Sequence, residues 1–267
     1  DYMGDFVVDP DARLAMRDLI PGGTTNKDAK TYRRVTTRAG NAAPTASGTA
    51  LPESNIVIER VTDAVRAIGH YIVIDEDDIA DVEGLRSLID AEMTYGLRKI
   101  EDQQILTGDG TGQNLNGLIP NATAYSAALE TALGISNLTI IDELQVSLTQ
   151  LLNADYAGTG FVLHPQDWGK IQTRKTTDGA YIFVNPVNST TPRLWGLPVV
   201  ATTQMAVGAH LTGDFTAAAQ LFDRLRPVLM LGYINDQFIK NEMAVKVRER
   251  LVLCVKRTGA LVHKPEV

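Results

Sequence analysis

Four histidines, one cysteine and a run of carboxylates are where chemistry would be sought in this chain. The carboxylates Asp75, Glu76, Asp77, Asp78, Asp81 and Glu83 suggest a cation. A calcium loop needs oxygen ligands at positions one, three and five, then a glycine. Counting from Asp75, position five is Ile79 and position six is Ala80, so the pattern fails. Acids at the start of a helix, favoured by its dipole, are the better account. His70, His164, His210 and His263 stand far apart, outside any H-E-x-x-H motif or Cys/His cluster. The glycines of 108–117 invite a phosphate, but they read G-x-G-x-G, follow a helix rather than a strand, and no G-K-[ST] occurs. A turn at a helix end explains them better. No G-x-S-x-G nucleophile elbow is present. Cys254, within the apolar run 251–255, reads as a core thiol, and a lone cysteine excludes a disulfide within the chain. The sequons at Asn121, Asn137 and Asn188 read as coincidence. Neither a cofactor nor a metal is expected.

The elements say more than the motifs. Val82, Leu85, Ile89, Met93, Gly96 and Ile100 fall on one face of a 3.6-residue period, widened by Leu88 and Leu97. Arg86, Asp90, Arg98, Glu101 and Asp102 fall off it, with Arg98 in reach of the last two. A helix over 83–106 would be about 36 Å long, enough to brace a domain. It runs into the glycine loop 107–118. Ahead of it, residues 38–54 hold Ala, Gly, Thr, Ser, Asn and Pro, with Leu51 the only large apolar side chain. Such a segment cannot form a core. Strand patterns flank it, so 31–54 out and 55–74 back make a long hairpin with a soft tip. An isolated hairpin is marginal in water. It therefore lies on a neighbouring copy or is a flexible loop on a monomer.

Residues 1–30 read as an arm with a short helix over 12–20. A second amphipathic helix spans 137–155, with Thr139 and Asp142 placed to cap it. A buried strand over 160–163, a helix over 165–173 opened by Pro165, a turn at Asp178-Gly179 and a strand over 181–184 follow. Further strands are expected over 194–200, 208–211, 219–223 and 227–233. The last strand alternates Val245, Val247, Leu251, Leu253 and Val255 with Lys246, Arg248, Arg250 and Lys256, slipping one step at Glu249-Arg250. Mixed strands and helices without a regular βαβ order indicate an α+β fold. The 267 residues suggest two lobes.

Charge is −7 overall, which argues against a general nucleic-acid binder. From Lys240 to Val267 seven Lys and Arg face three Glu. That basic end suits an opposite charge on a neighbouring copy, or a solvated mixed surface. No run approaches the ~18 apolar residues of a membrane span.

With hairpin, long helix, glycine loop and final strand in place, the chain resembles the major capsid proteins of tailed phages, the Hong Kong 97-type fold. The strongest segments are Leu51-Pro52-Glu53-Ser54, Met93-Thr94-Tyr95-Gly96-Leu97, the glycine loop from Leu106 to Leu118, Val162-Leu163-His164-Pro165-Gln166-Asp167-Trp168, Gly179-Ala180-Tyr181-Ile182-Phe183, Trp195-Gly196-Leu197-Pro198-Val199-Val200 and Phe238-Ile239-Lys240-Asn241. The resemblance implies an N-terminal arm at 1–32, an extended hairpin lying over an adjacent subunit at 33–72, and a peripheral domain with a spine helix at 73–120. It further implies an axial domain at 121–237, a return strand of the peripheral domain at 238–258 and a C-terminal axial segment at 259–267. The chain begins with Asp1 rather than Met, in keeping with a family habit of removing an N-terminal scaffolding segment. Some members weld subunits by Lys–Asn isopeptide bonds with help from a glutamate. Asn241 stands at the acceptor's place, but Ala50-Leu51 stand where the donor lysine is expected. Arg248 stands at the glutamate's place, with Glu249 beside it. No autocatalytic crosslinking is expected.

The implied function is self-assembly, through hexamers and pentamers, into an icosahedral shell enclosing double-stranded DNA without sequence-specific contacts. Portal, scaffolding or protease, and decoration proteins are the implied partners. The virion capsid is the implied location, with assembly in the host bacterial cytoplasm. Arg38, Glu53, Asp109, Arg248 and Arg250 are the expected contacts between subunits. The rival readings are an encapsulin-like compartment and a hydrolase with a site scattered over 121–237.

Overall fold

The computed structural model describes residues 16–81, 84–135, 137–175 and 193–266. The turn at Asp178-Gly179, the strand over 181–184, the sequon at Asn188 and the start of the arm lie outside the described residues, as do Val82 and Glu83. In chain order come α1 (Met16–Leu19), β1 (Gly22–Thr24), β2 (Ala29–Ala39), β3 (Asn55–Ala64), β4 (Arg66–Asp75), α2 (Glu76–Asp81) and α3 (Leu85–Thr107). Next are α4 (Leu118–Asn121), β5 (Thr123–Ala124), α5 (Ala127–Ala132), α6 (Ile140–Asn153), β6 (Gly160–Leu163) and α7 (Pro165–Gln172). Then follow β7 (Arg193–Leu194), β8 (Leu197–Ala201), β9 (His210–Gly213), α8 (Phe215–Ala218), β10 (Ala219–Gly232), β11 (Glu242–Val255) and β12 (Leu261–Lys264).

The strands form a four-stranded sheet in the order β1-β10-β11-β4, a six-stranded sheet in the order β5-β12-β9-β6-β8-β7, and the isolated pair β2-β3. The return limb expected to run from residue 55 to 74 is thus two strands. The hairpin pairs only over Ala29–Ala39 and Asn55–Ala64, and β4 leaves it to pair with β11. Val65, buried between them, is the break, because its side chain packs with Phe222, Val252 and Cys254. The strands expected at 219–223 and 227–233 are one strand, β10, with irregularities between Asp223 and Leu225 and between Leu225 and Val228. Pro227 sits in the second, where a missing N–H is tolerated. β10 belongs to the four-stranded sheet, and the strands of the six-stranded sheet come from 123–213 and again from 261–264. The strand expected over 194–200 is a hairpin, β7 and β8, turned at Trp195 and Gly196. Both have positive φ, 49° and 80°, which suits a two-residue turn.

β11 shows no slip. Its register against β4 runs unbroken from Glu242 opposite Asp75 to Leu251 opposite Arg66. The inward row is Val245, Val247, Glu249, Leu251, Leu253 and Val255, all buried, so a glutamate takes an apolar place in an otherwise strict alternation. Helix α3 lies over this sheet, with Met93 and Leu97 against Val247, Ile68 and Ile72. Its buried stripe continues through Glu101, Asp102, Ile105 and Leu106, whereas Ile100, expected on the apolar face, is exposed. The stripe steps by four residues, which drifts around a 3.6-residue helix and brings acids inward where Ile100 was expected.

The largest core joins both sheets. It draws Met16 and Ile20 from the arm, Ile105 and Leu106 from α3, Leu115 and Leu118 after the glycine loop, Leu211 and Leu261 from the larger sheet, and Leu251 and Leu253 from β11. A second core holds Ile141 and Leu144 of α6 against Phe161 and Leu163 of β6. Each fully buried side chain of this kind contributes about 1.5–3 kcal/mol. Helix α6 begins as expected: the Asp142 carboxylate accepts from the Thr139 backbone N–H at 3.0 Å.

Candidate functional site

The hairpin carries an uncovered surface. Most of β2 and nearly all of β3 are exposed. Ile56 faces Arg38 and Ile58 faces Val35 across the pair, so Val35, Ile56 and Ile58 form an apolar cluster near its outer end. All three are more than half exposed, and Leu51 near the tip is 80% exposed. The opposite face holds an ion pair between Arg34 and Glu59 at 3.0 Å. Arg38 and Glu53 both lie exposed in this outer half. Asn41 donates to the Glu53 carbonyl at 2.7 Å, closing the neck of the tip.

The glycine loop is a rigid turn. Gly110 and Gly112 have positive φ, and a Cβ on Gly108 would meet the Leu115 carbonyl oxygen at 2.4 Å. Asp109 is exposed and accepts from the Thr111 N–H at 3.0 Å, the Thr111 hydroxyl at 2.7 Å and the Asn114 amide at 2.8 Å. These donors, Asn114 foremost, lower its pKa to about 2. Its ligands are therefore within its own loop.

Arg248 and Arg250 lie two apart on the face of β11 away from α3. Arg248 is exposed, opposite Gly69. Arg250 is half-buried and bonds Asp28 at 3.0 Å, and Arg224 pairs with the same carboxylate. Around them Tyr71, Val73 and Met230 are exposed, so this sheet face is apolar as well as basic. The fold therefore gathers Arg248 and Arg250 on one face and Arg38 and Glu53 on the hairpin, with Asp109 in a separate loop.

Sequence reasoning missed a clamp behind this face. Arg17 of α1 donates to Glu101 of α3 and to Asp223 of β10. Burial raises the pKa of Glu101, and the Arg17 charge opposes that shift. Glu249 comes from β11 into the same cluster; its Oε1 has no hydrogen-bond partner. Burial, reinforced by Glu101, pushes its pKa up to about 8, so it is largely neutral at pH 7. The only sequence signal was an acid at an inward position of an alternating strand. Glu249 is therefore an interior group. Asn241, at the β10–β11 turn, has φ 55° and offers its carbonyl to the Glu76 N–H at 2.8 Å.

Of the carboxylates expected to open a helix, Asp75 precedes α2 and Glu76, Asp77 and Asp78 form its first turn, whereas Asp81 is its last residue and Glu83 lies outside the described residues. The Asp75 side chain accepts from the Asp77 N–H at 3.0 Å. Among the described residues, no three His, Cys, Asp or Glu side chains are grouped to hold a metal. Among the described residues a serine and a histidine meet at Ser147 and His210, 2.8 Å apart, but both are fully buried. Burial lowers the pKa of His210 to about 3, so it is neutral, and it packs edge-on to Tyr125. A nucleophile there would meet no substrate. Among the described residues no helix is long and apolar enough to cross a membrane.

Hairpin, spine helix, glycine loop and two sheets together are the mixed α+β fold of Hong Kong 97-type capsid proteins. Solved structures share it. The chain aligns over its full length with 95% of a subunit from the capsid of an empty GTA particle, at TM-score 0.77 and 16% identity. It aligns equally with 95% of a chain from Mycobacterium phage Bobi, at TM-score 0.75 and 13% identity. The family model for the phage capsid family matches residues 3–263, and the chain belongs to that family, one of structural proteins rather than enzymes. It is 35% identical over 251 residues to the major capsid protein of Enterobacteria phage HK97. That alignment covers 94% of this chain and 64% of the relative's length.

Proposed function

We propose that this chain is the major capsid protein of a tailed bacteriophage, and that copies of it close into an icosahedral shell around packaged double-stranded DNA. The observation that carries the reading is the hairpin. Its apolar cluster of Val35, Ile56 and Ile58 has no cover among the described residues. A cover from a second copy completes it, and the exposed apolar and basic face of β4, β10 and β11 has the matching character. Interface per subunit then lies in the obligate range, above roughly 2,000 Å². Hexamers and pentamers are the intermediates.

In this reading the arm runs to about residue 28, the hairpin spans 29–64, and the four-stranded sheet with α3 is the peripheral domain. The six-stranded sheet with α6 and α7 is the axial domain, closed by β12 at the C-terminal end. Arg38, Glu53, Asp109, Arg248 and Arg250 meet neighbours. Portal, scaffolding or protease, and decoration proteins complete the particle, which assembles in the host bacterial cytoplasm. No covalent weld forms, because Ala50-Leu51 offer no lysine and Glu249 points inward. Size-exclusion chromatography and electron microscopy of the purified protein test this reading. Closed shells, from which DNA is recovered when they come from infected cells, are expected. A stable monomer at every concentration contradicts it, and shells loaded with an enzyme instead of DNA indicate a cellular compartment.

A further inference from the structure

The hairpin leaves the body through a narrow joint. β3 ends at Ala64, β4 begins at Arg66, and Val65 between them is buried. The Val65 N–H bonds the Asp28 carbonyl at 2.8 Å, tying the two limbs together at the point where they leave. Just above this pivot, Tyr32 packs on Val65 and Val252, and its hydroxyl lies 2.9 Å from both Asp63 Oδ2 and the Val255 carbonyl. Lys30 sits over the Phe222 ring at 4.1 Å. On the other side the hairpin base faces the glycine loop across a cleft of about 120 Å³, between Thr62, Asp63 and Ala64 and the segment Asn114–Asn116. One direct side-chain bond spans that cleft: Asn116 Nδ2 to Asp63 Oδ1, at 3.3 Å. Asn116 is braced from behind. Its Oδ1 accepts from Asn121 Nδ2 at 2.6 Å, and its backbone bridges to Asp109 across the loop.

We propose that Asp63 is a positioning residue: its carboxylate, held by Asn116, latches the hairpin to the glycine loop and fixes the direction in which the hairpin projects. A long lever on a buried pivot changes direction with small rotations near its base. A single hydrogen bond across an open cleft, unlike a packed interface, resists that rotation and yet releases at small cost. The glycine loop then couples to the hairpin. A neighbour that draws Asn116 away from Asp63 frees the lever, and one that holds the loop still holds the hairpin in place. The consequence for assembly rests on the hairpin covering a neighbouring copy; the latch itself does not.

The test uses the full chain with spin labels at Ala50→Cys near the hairpin tip and Gln145→Cys on α6. The native Cys254 is fully buried and stays unlabelled. Pulsed dipolar spectroscopy on the subunit gives the distribution of tip-to-body distances. Asp63→Ala and Asn116→Ala are each expected to widen that distribution at least two-fold with an unchanged far-UV spectrum. The double variant is expected to widen it no further than Asp63→Ala alone, which already removes the Asn116 bond along with the Tyr32 bond to the same carboxylate. A native width in either folded single variant overturns the latch, whatever the shells do. Widening together with normal shells upholds the latch and counts against the hairpin's role in assembly.

Discussion

β11 and the β2–β3 hairpin are built from similar residues, and they fare differently. Both alternate β-branched and charged side chains over ten or more residues. In β11 the inward row is sealed by α3 on one stretch and by the joined core on the next. In the hairpin the corresponding row, Val35, Ile56 and Ile58, has no layer upon it among the described residues. Strand propensity is thus equal in both, and burial is not. The strand that is covered stabilises the subunit; the pair that is not covered is a surface awaiting another molecule.

Substitutions divide along that line. The largest effect is expected from Leu251→Ala in β11, about 2–5 kcal/mol of lost stability by denaturant unfolding, because it leaves a cavity where both sheets meet. Ile58→Asp on the hairpin should shift that same unfolding midpoint by less than about 0.5 kcal/mol while abolishing shells in negative-stain images. A hairpin change that unfolds the subunit as Leu251→Ala does would erase the contrast.

Glu249 sharpens the comparison from inside the covered strand. Its folded pKa, about 8, lies above the ordinary carboxylate value. Its contribution to stability is thus fully present below the unfolded value, near 4.3, and is lost as pH rises through about 8. Glu249→Gln keeps the shape without the ionisation. Unfolding measured from pH 5 to 9 should show a flatter profile for the variant, more stable than the parent by an amount on the order of a few kcal/mol at the alkaline end. Parallel profiles would mean that Glu249 is charged and paired. His210 works the other way. Its depressed folded pKa, about 3, makes stability fall as pH drops from about 6.5 towards 3.

A small effect on folding is also expected for Arg250→Glu. It breaks a pair with the exposed Asp28 and should cost about 1 kcal/mol or less in the subunit. Shell yield should nevertheless fall at least ten-fold. Equal yields would remove the basic face of β11 from the assembly surface.

Periodicity made much of this legible. α3, α6, β6 and α7 lie where apolar spacing and caps put them, β6 at both ends and the helices with no end moved by more than three residues. The errors share a cause. The sequence of β11 suggests a slip because an acid stands in an apolar row, and the acids of α3 are expected outward because charge is ordinarily solvated. Glu101 is tolerated inside because it pairs with Arg17, some eighty residues away in sequence, and Glu249 because burial holds it largely neutral; neither cause leaves a local pattern. The end of the hairpin at Ala64 was hidden for a related reason. Residues 55–75 form one continuous strand-like run, and the decision to change partners at Val65 rests with β11. Of the five expected contacts, the exposure of Arg38, Glu53, Asp109 and Arg248 was legible from their places in turns and outward rows. The bond between Arg250 and Asp28 was not.

Hydrogen exchange of the hairpin amides, followed against subunit concentration, tests the central claim most directly. In isolated subunits, amides of 29–39 and 55–64 should exchange far faster than those of β11, and in assembled particles they should slow by at least a hundred-fold. Hairpin protection equal to that of β11, unchanged by dilution, would contradict the account.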